Sequence, residues 1–367
     1  MGVTNEFLSS RMMARPARTV VRLVARTRLL RVVESAARIE VHPGKKPGAR
    51  SLGDTPSTGD DPEAVHDFRV ALRRLRSWLR VFRPYLEDTV AGKTERALGR
   101  LSRLAGEARD LEVQREWLLA AAAGPKSGLA PAVDWLVASI TRSEGQIFHR
   151  LGRSVAGKLP KAAGKLGAQV ERYNAEIDVD QGEVGPRMSV VIGERILEHL
   201  ALVREQLGRV QRPAQAEEAH LARISIKRLR YLLEALNPSL PPVALGVKRL
   251  GLMQQSLGDL HDAQVLAGRL ARPPAKGHAK TSPTRAPFDG HFVRDVAPPA
   301  PTARQMAALR GALRGRMASA FYQAHQLSRS RETAAVFAMV ARLARQLRRP
   351  PRPSRAKHAS LRAAGAR

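Results

Sequence analysis

The sequence predicts an all-α protein, and three observations predict it. Apolar residues recur every three or four positions along most of the chain, the period of a helix with one buried face. No stretch alternates apolar and polar residues between turn signals, as a half-buried strand would. One helical segment is also written twice in the same register. "HDFRVALRRLRSWLRVFRP", from His66 to Pro84, superimposes on "HLARISIKRLRYLLEALNP", from His220 to Pro238, and each copy is followed by a second related segment.

Length and composition bound the rest. A chain of 367 residues is long enough for two domains with ample core. Its formal net charge of +30 exceeds what solubility asks and points to a polyanionic partner. Aromatic residues make up only 4%, which disfavours reading single-stranded nucleic acid by stacking. The chain has no cysteine, which excludes disulfides, Cys-bearing zinc fingers and iron–sulfur clusters and fits a reducing cytoplasm. No run of 18 apolar residues exists, so no membrane span is expected.

In chain order, residues 1–17 read as a disordered or frayed N-terminus. A first helix is predicted from about Arg18 to Val41. The stretch "EFLSSRMMARPARTVVRLVARTRLLRVV" has no acid after Glu6 and mimics an organelle presequence, but it lacks a secretory signal's continuous apolar centre and reads as a first bundle helix. A Gly/Pro/Ser/Asp loop follows, and Asp61 as N-cap, Pro62 in the first turn and Glu63 near the positive dipole end start the His66 helix. Pro84 closes it. A third helix spans about Asp88 to Ala123 and a fourth Ala130 to Ala156, completing a first bundle at 18–158. Residues 159–186 read as a connector. The second bundle, 187–347, contains the His220 helix, "VALGVKRLGLMQQSLGDLHDAQVLAGRL", a Pro-rich loop at 272–302 and one last helix from Ala303 to Leu347. A basic tail, 348–367, reads as disordered.

The His66 helix carries its charge in a line. His66, Arg69, Arg73, Arg76, Arg80 and Arg83 step by three or four, which keeps them on one face. Val65, Phe68, Leu72, Leu75, Leu79 and Phe82 follow the same steps one residue earlier and form an apolar stripe about 100° away. Like charges stacked four apart repel by a few tenths of a kcal/mol each, so something must offset them. A solvated helix in an Arg-rich composition is the bland alternative. The second copy weighs against it: His66 falls on His220, Arg69 on Arg223, Arg73 on Lys227, Arg74 on Arg228 and Arg76 on Arg230, and Phe68, Leu72, Leu75 and Leu79 on Ala222, Ile226, Leu229 and Leu233. The register fades at the end, where Arg80 meets Glu234 and Arg83 meets Asn237. Downstream, Leu98 to Val113 matches Leu250 to Val265, with Gly106 over Gly258 and Asp110 over Asp262. This is a tandem duplication with too long a period for a small-repeat solenoid. Two halves with their cationic rows inward would enclose a positively charged channel or groove.

The segments "EAVHDFRVALRRLRSWLRVF" with "ARDLEV", and "HLARISIKRLRYLLEAL" with "LGDLHDAQVL", resemble the conserved histidine α-helical domain, or CHAD, family. The resemblance implies two four-helix bundles related by a pseudo-twofold axis around a basic central cavity that binds inorganic polyphosphate. It implies ligand-facing roles for His66, Arg69, Arg73, Arg74, Arg76 and, along the first stripe, Arg80, and for His220, Arg223, Lys227, Arg228 and Arg230. Arg109, Lys248 and Arg249 are secondary candidates, with a solvated face as the alternative. Some relatives carry a triphosphate-tunnel domain with a Glu-x-Glu-x-Lys signature. That signature is not found here, so non-catalytic binding without a cofactor is expected, in the cytoplasm and in association with polyphosphate granules.

Two rival readings use the same residues. Nucleic-acid binding explains the charge, though no zinc finger or helix-turn-helix is visible. Metal-dependent phosphohydrolysis would start from His66-Asp67 and His261-Asp262, which lack further ligands nearby in sequence. Asp110 and Asp262 are expected to hold an Arg of the basic rows. Trp78, Trp117 and Trp135 lie in apolar registers and are expected in the core.

Overall fold

The computed structural model describes residues 7–39, 62–86, 90–123, 128–179, 185–271 and 300–349, and among these it contains ten α-helices, a 3₁₀ turn and no β-strand. The N-terminal residues it describes are ordered. Leu8 is buried, and its N–H donates to the Ala235 carbonyl at 2.8 Å. Ser9 caps α1 (Ser10–Ala14) by accepting from the Met12 N–H at 3.3 Å. The expected fraying of this stretch is therefore corrected for residues 7–14: an apolar seat and a helix cap hold it.

Two helices begin side by side. α2 (Ala17–Ala37) and α6 (Met188–Arg209) are joined at their starts by Ala17 N–H to the Pro186 carbonyl at 2.9 Å and Met188 N–H to the Arg15 carbonyl at 2.8 Å. α3 (Pro62–Val81) is the His66 helix, followed by the 3₁₀ turn Arg83–Tyr85 that contains Pro84. Its apolar stripe is buried at Phe68, Leu72, Leu75, Leu79 and Phe82, with Val65 packed at the edge. The proposed cap Asp61 lies outside the described residues. α4 (Gly92–Ala122) carries Arg109 and Asp110.

α5 corrects the connector. It runs from Ala130 to Val179 straight through Pro160. An internal proline costs about 3 kcal/mol, but the apolar period does not stop there: Leu159, Ala162, Ala163, Leu166 and Val170 are all buried. Burial of several such side chains at about 1.5–3 kcal/mol for each large one outweighs the lost hydrogen bond.

In the second half, α7 (Ala216–Leu233) is the His220 helix and α8 (Pro241–Ala271) carries Gly258 and Asp262. The predicted single last helix is two, α9 (Ala303–Arg329) and α10 (Arg331–Leu347). Ser330 takes an extended conformation between them, and its hydroxyl accepts from the Thr333 N–H at 3.1 Å, so a serine cap breaks the continuous pattern. Residues 272–299 of the Pro-rich segment and 350–367 of the tail lie outside the described residues.

Packing joins the halves. α2 lies against α3 and α5, and α4 against α3 and α5; α7 lies against α6 and α8, with α9 and α10 completing that side. α2 meets α6, α3 meets α7 and α4 meets α8. One apolar core draws on both halves, and a second gathers the far ends of α4, α5, α8 and α9 around Leu118, Ile140, Leu266 and Leu313. Trp78 is buried in the first, its Nε1–H donating to the Val21 carbonyl at 2.9 Å, and Trp117 and Trp135 pack on the second. No described helix is long and apolar enough to cross a membrane.

The α6–α10 seam is tight enough to test. A Cβ added at Gly193 would meet the Ala344 carbonyl oxygen at 2.6 Å. Backbone cannot yield as a side-chain tip can, so Gly193→Ala is predicted to destabilise the fold by about 1–3 kcal/mol in denaturant unfolding. Stability equal to wild type would contradict this packing.

Candidate functional site

α3 and α7 cross in contact, and the crossing brings the two cationic rows together. Their apolar stripes point away into the core, which leaves the adjoining faces toward each other and toward α4 and α8. Lys227 on α7 sits where the rows meet. Burial first, then Arg73, Arg223, Arg69 and Arg230, push its ammonium from 10.5 down to about 7. The guanidinium of Arg69 falls to about 10, through burial and through Arg73 and Arg109, with Asp110 and Glu112 opposing. Burial and neighbouring cations together disfavour charge at this point.

Two carboxylates, one from each half, face these cations. Asp110 on α4 is held above the usual carboxylate range because burial outweighs the pull of Arg223, Arg69 and Arg73. Asp262 on α8 rises to about 6: burial comes first, Asp110 and Asp259 add to it, and Arg223 and Arg316 oppose it. The two acids lie where the apolar cores part, each next to a buried residue of the second core, Leu111 and Ala263. His220 and His261 stack with ring centroids 5.2 Å apart. Burial and Arg223 lower both, His261 to about 4.

The helices behind the rows are shaped to receive them. Arg76 lies against Gly99 of α4, whose missing Cβ would meet its Nη2 at 3.2 Å. In the second half Arg230 lies over Gly251 at 4.0 Å, and Arg223 over Gly258, with Nε at 3.7 Å. A side chain at these glycines would tilt the guanidinium out of line. The Nε atoms of Arg69, Arg74, Arg76 and Arg223 are buried without a hydrogen-bond partner. A buried unmade donor costs about 1–3 kcal/mol, more when charged, which an anion accepting from it would recover.

The sequence-derived candidates divide by place. Arg69, Arg73, Arg223 and Lys227 form the centre, with His220 at its rim. His66 is exposed, its Nδ1 3.5 Å from Arg69. Arg109 faces the same space but is engaged by Glu112 at 2.7 Å and Glu116 at 3.7 Å, and these acids outweigh burial to raise it further. Arg76 and Arg230 flank the centre. Burial and then Arg80 bring Arg76 down to about 10, and Arg230 pairs with Glu234 at 2.9 Å. Arg74 and Arg228 point off the row, Arg74 to Glu234 at 3.4 Å and Arg228 toward Arg80, which is exposed and 3.5 Å from Glu95.

Arg249 is a correction. It hydrogen-bonds Thr333 at 2.6 Å and Ser330, and pairs with Glu332 at 2.9 Å, so it anchors the α9–α10 break. Nine residues separate it from Gly258, about 180° round α8, which turns it from the row. Lys248 is exposed and about 80° from the Gly258 face. Among the described residues no group of three His, Asp or Glu side chains is placed to hold a metal ion.

Sequence reasoning missed Arg316, Arg28 and His199. Arg316 of α9 lies 3.9 Å from Asp259 and over the Trp117 ring at 5.1 Å. Arg28 of α2 donates to the Arg74 carbonyl at 3.0 Å and stacks on Trp78 at 4.6 Å. It borders a cavity of about 390 Å³ between α2 and α3. His199 of α6 has both ring nitrogens buried and unpartnered.

Comparison with known proteins adds the lineage. The sequence model of the CHAD domain matches residues 52–271. The fold is similar to the CHAD domain from the plant Ricinus communis, at TM-score 0.52 and 19% identity over 92% of this chain and 97% of that one. It is also similar to PptA from Streptomyces chartreusis, at TM-score 0.57 and 16% identity over 86% of this chain and 100% of that one. No curated protein matches.

Proposed function

Since the chain belongs to the CHAD domain family, we propose that it binds inorganic polyphosphate, without cleaving it, between the cationic rows of α3 and α7. The observation that carries this reading is Lys227, buried among Arg69, Arg73, Arg223 and Arg230 in the free protein. Such a cluster is costly when empty and is relieved by a dense, flexible anion. Arginine forks engage phosphate oxygens two at a time, and the row advances about 5 Å per step along each helix. Polyphosphate has no bases to read, so regularly placed donors suffice. A half-buried row between two touching helices admits a thin chain more readily than a duplex. Asp110 and Asp262 keep the empty rows from repelling more strongly, and both are readily neutralised by a proton.

The test is a titration of long-chain polyphosphate and of duplex DNA matched for total charge, at the same salt, with orthophosphate release followed alongside. Tighter polyphosphate binding is expected, with affinity falling linearly in log salt as counterions are released, and without orthophosphate. Equal or tighter binding of DNA would favour the nucleic-acid reading. Orthophosphate release would make the protein an enzyme.

A further inference from the structure

The repeat register fails at one place that the structure makes meaningful. In the alignment of the two copies Arg74 falls on Arg228, and Arg80 falls on Glu234. Across the α3–α7 crossing these residues meet in matching pairs, Arg74 with Glu234 on one flank and Arg228 with Arg80 on the other. The same meeting is therefore made twice, once against an acid and once against a cation. On the first flank Glu234 takes Arg74 at 3.4 Å and Arg230 at 2.9 Å, and charge is matched locally. On the second, Arg80 has a partially exposed partner in Glu95 at 3.5 Å, and Arg228 faces Arg80.

The layer beneath differs in the same sense. Arg28 on α2 and His199 on α6 each stand eleven residues beyond the first helical residue, Ala17 and Met188, of helices that start side by side. Arg28 is tied to the Arg74 carbonyl, whereas His199 has two buried ring nitrogens without a partner. The charged groups facing His199 are Arg228 from α7 and Glu198 and Arg195 from its own helix. Burial and then Arg228 hold the imidazole near 4, so it is neutral at physiological pH.

We propose that the Arg80–Arg228 flank, backed by His199, is a second phosphoryl-binding site, separate from the central row and present on one side of the molecule only. Two guanidiniums across a helix seam supply convergent donors for one phosphoryl group. The acid that neutralises the equivalent flank is missing here, and a bound anion takes its place. The phosphoryl group belongs either to a free species such as pyrophosphate or to a polyphosphate chain continuing past the central row.

The test follows the imidazole nitrogens of His199 by NMR in ¹⁵N-histidine-labelled full chain, assigned with His199→Gln. Pyrophosphate is titrated into wild type and into a variant whose central row is removed by Arg69→Glu, Arg73→Glu and Arg223→Glu. A saturable response with a raised His199 pKa is expected in both, lost in Arg228→Gln and at least tenfold weaker in Arg80→Glu, which restores the acid of the other flank. A response to long polyphosphate in wild type but not in the central-row variant would assign the site to the continuing chain. A pyrophosphate response in both assigns it to free species. No saturable response to either ligand in wild type, or the same response after Arg228→Gln, overturns the proposal. Failure of the central-row reading would show separately, as polyphosphate affinity unaltered by the three row substitutions.

Discussion

Changing Arg69, Arg73, Arg223 and Lys227 together to glutamate is expected to raise the dissociation constant for long-chain polyphosphate by at least about 1000-fold at about 0.1 M salt. Removing four phosphate contacts forfeits their counterion release, and polyelectrolyte complexes with six to ten such contacts already change by about 10³–10⁵ over a modest salt range. Reversed charge adds repulsion to that loss. The slope of log affinity against log salt should shrink by about 0.7 per lost contact if the ligand behaves as a single strand. The fold should survive, since the buried stripe of Phe68, Leu72, Leu75 and Leu79 is untouched. Isothermal titration with circular dichroism as a control measures both. Affinity within threefold of wild type in a folded variant would remove the rows from the account.

The second large effect is on pH, with opposite signs for binding and stability. In the free protein Lys227 titrates near 7, held down by burial and by Arg73, Arg223 and Arg69, against an ordinary value of 10.5. Between those values the unfolded chain holds a proton that the native state has released, so free-protein stability rises with pH through this window. Asp262, raised to about 6 from 3.8 by burial, does the reverse: the native state holds the extra proton, and stability falls as pH rises from about 4 to 6. These two groups place a stability minimum between their values. A polyanion favours the proton on both, and on His261 near 4 as well. Polyphosphate affinity should therefore fall as pH rises, by up to about tenfold per pH unit for each proton taken up. Lys227→Met should flatten the decline above pH 7 and raise the melting temperature of the free protein while weakening binding. Affinity that rises with pH from 7 to 9 would contradict the arrangement.

Much of this was legible in the residues because both rows and both apolar stripes run in three-and-four steps that only a helix aligns. The duplicated register located α7 once α3 was read, and Asp110 and Asp262 came with it. What escaped notice lies where the pattern is weak or spans elements. Pro160 reads as a stop, and only the buried run from Leu159 to Val170 shows that it is not. Ser330 is one serine among several until its cap on Thr333 is seen. Arg249 adjoins the right segment on the wrong face, a distinction that needs the angle round α8 and not the spacing alone. Arg28 belongs to a helix with Val20, Val21, Ala25, Leu29 and Val32 all buried, which offers no clean polar stripe to mark it. His199 and Arg316 act across helices, and no local pattern records such a meeting.

The most direct measurement is a crystal structure with a polyphosphate of defined length. The account predicts phosphate density between α3 and α7, with phosphoryl oxygens within about 3 Å of the guanidiniums of Arg69, Arg73 and Arg223 and of the Lys227 ammonium. Ordered phosphate on other surfaces, with the space between the two helices left to water, would contradict it.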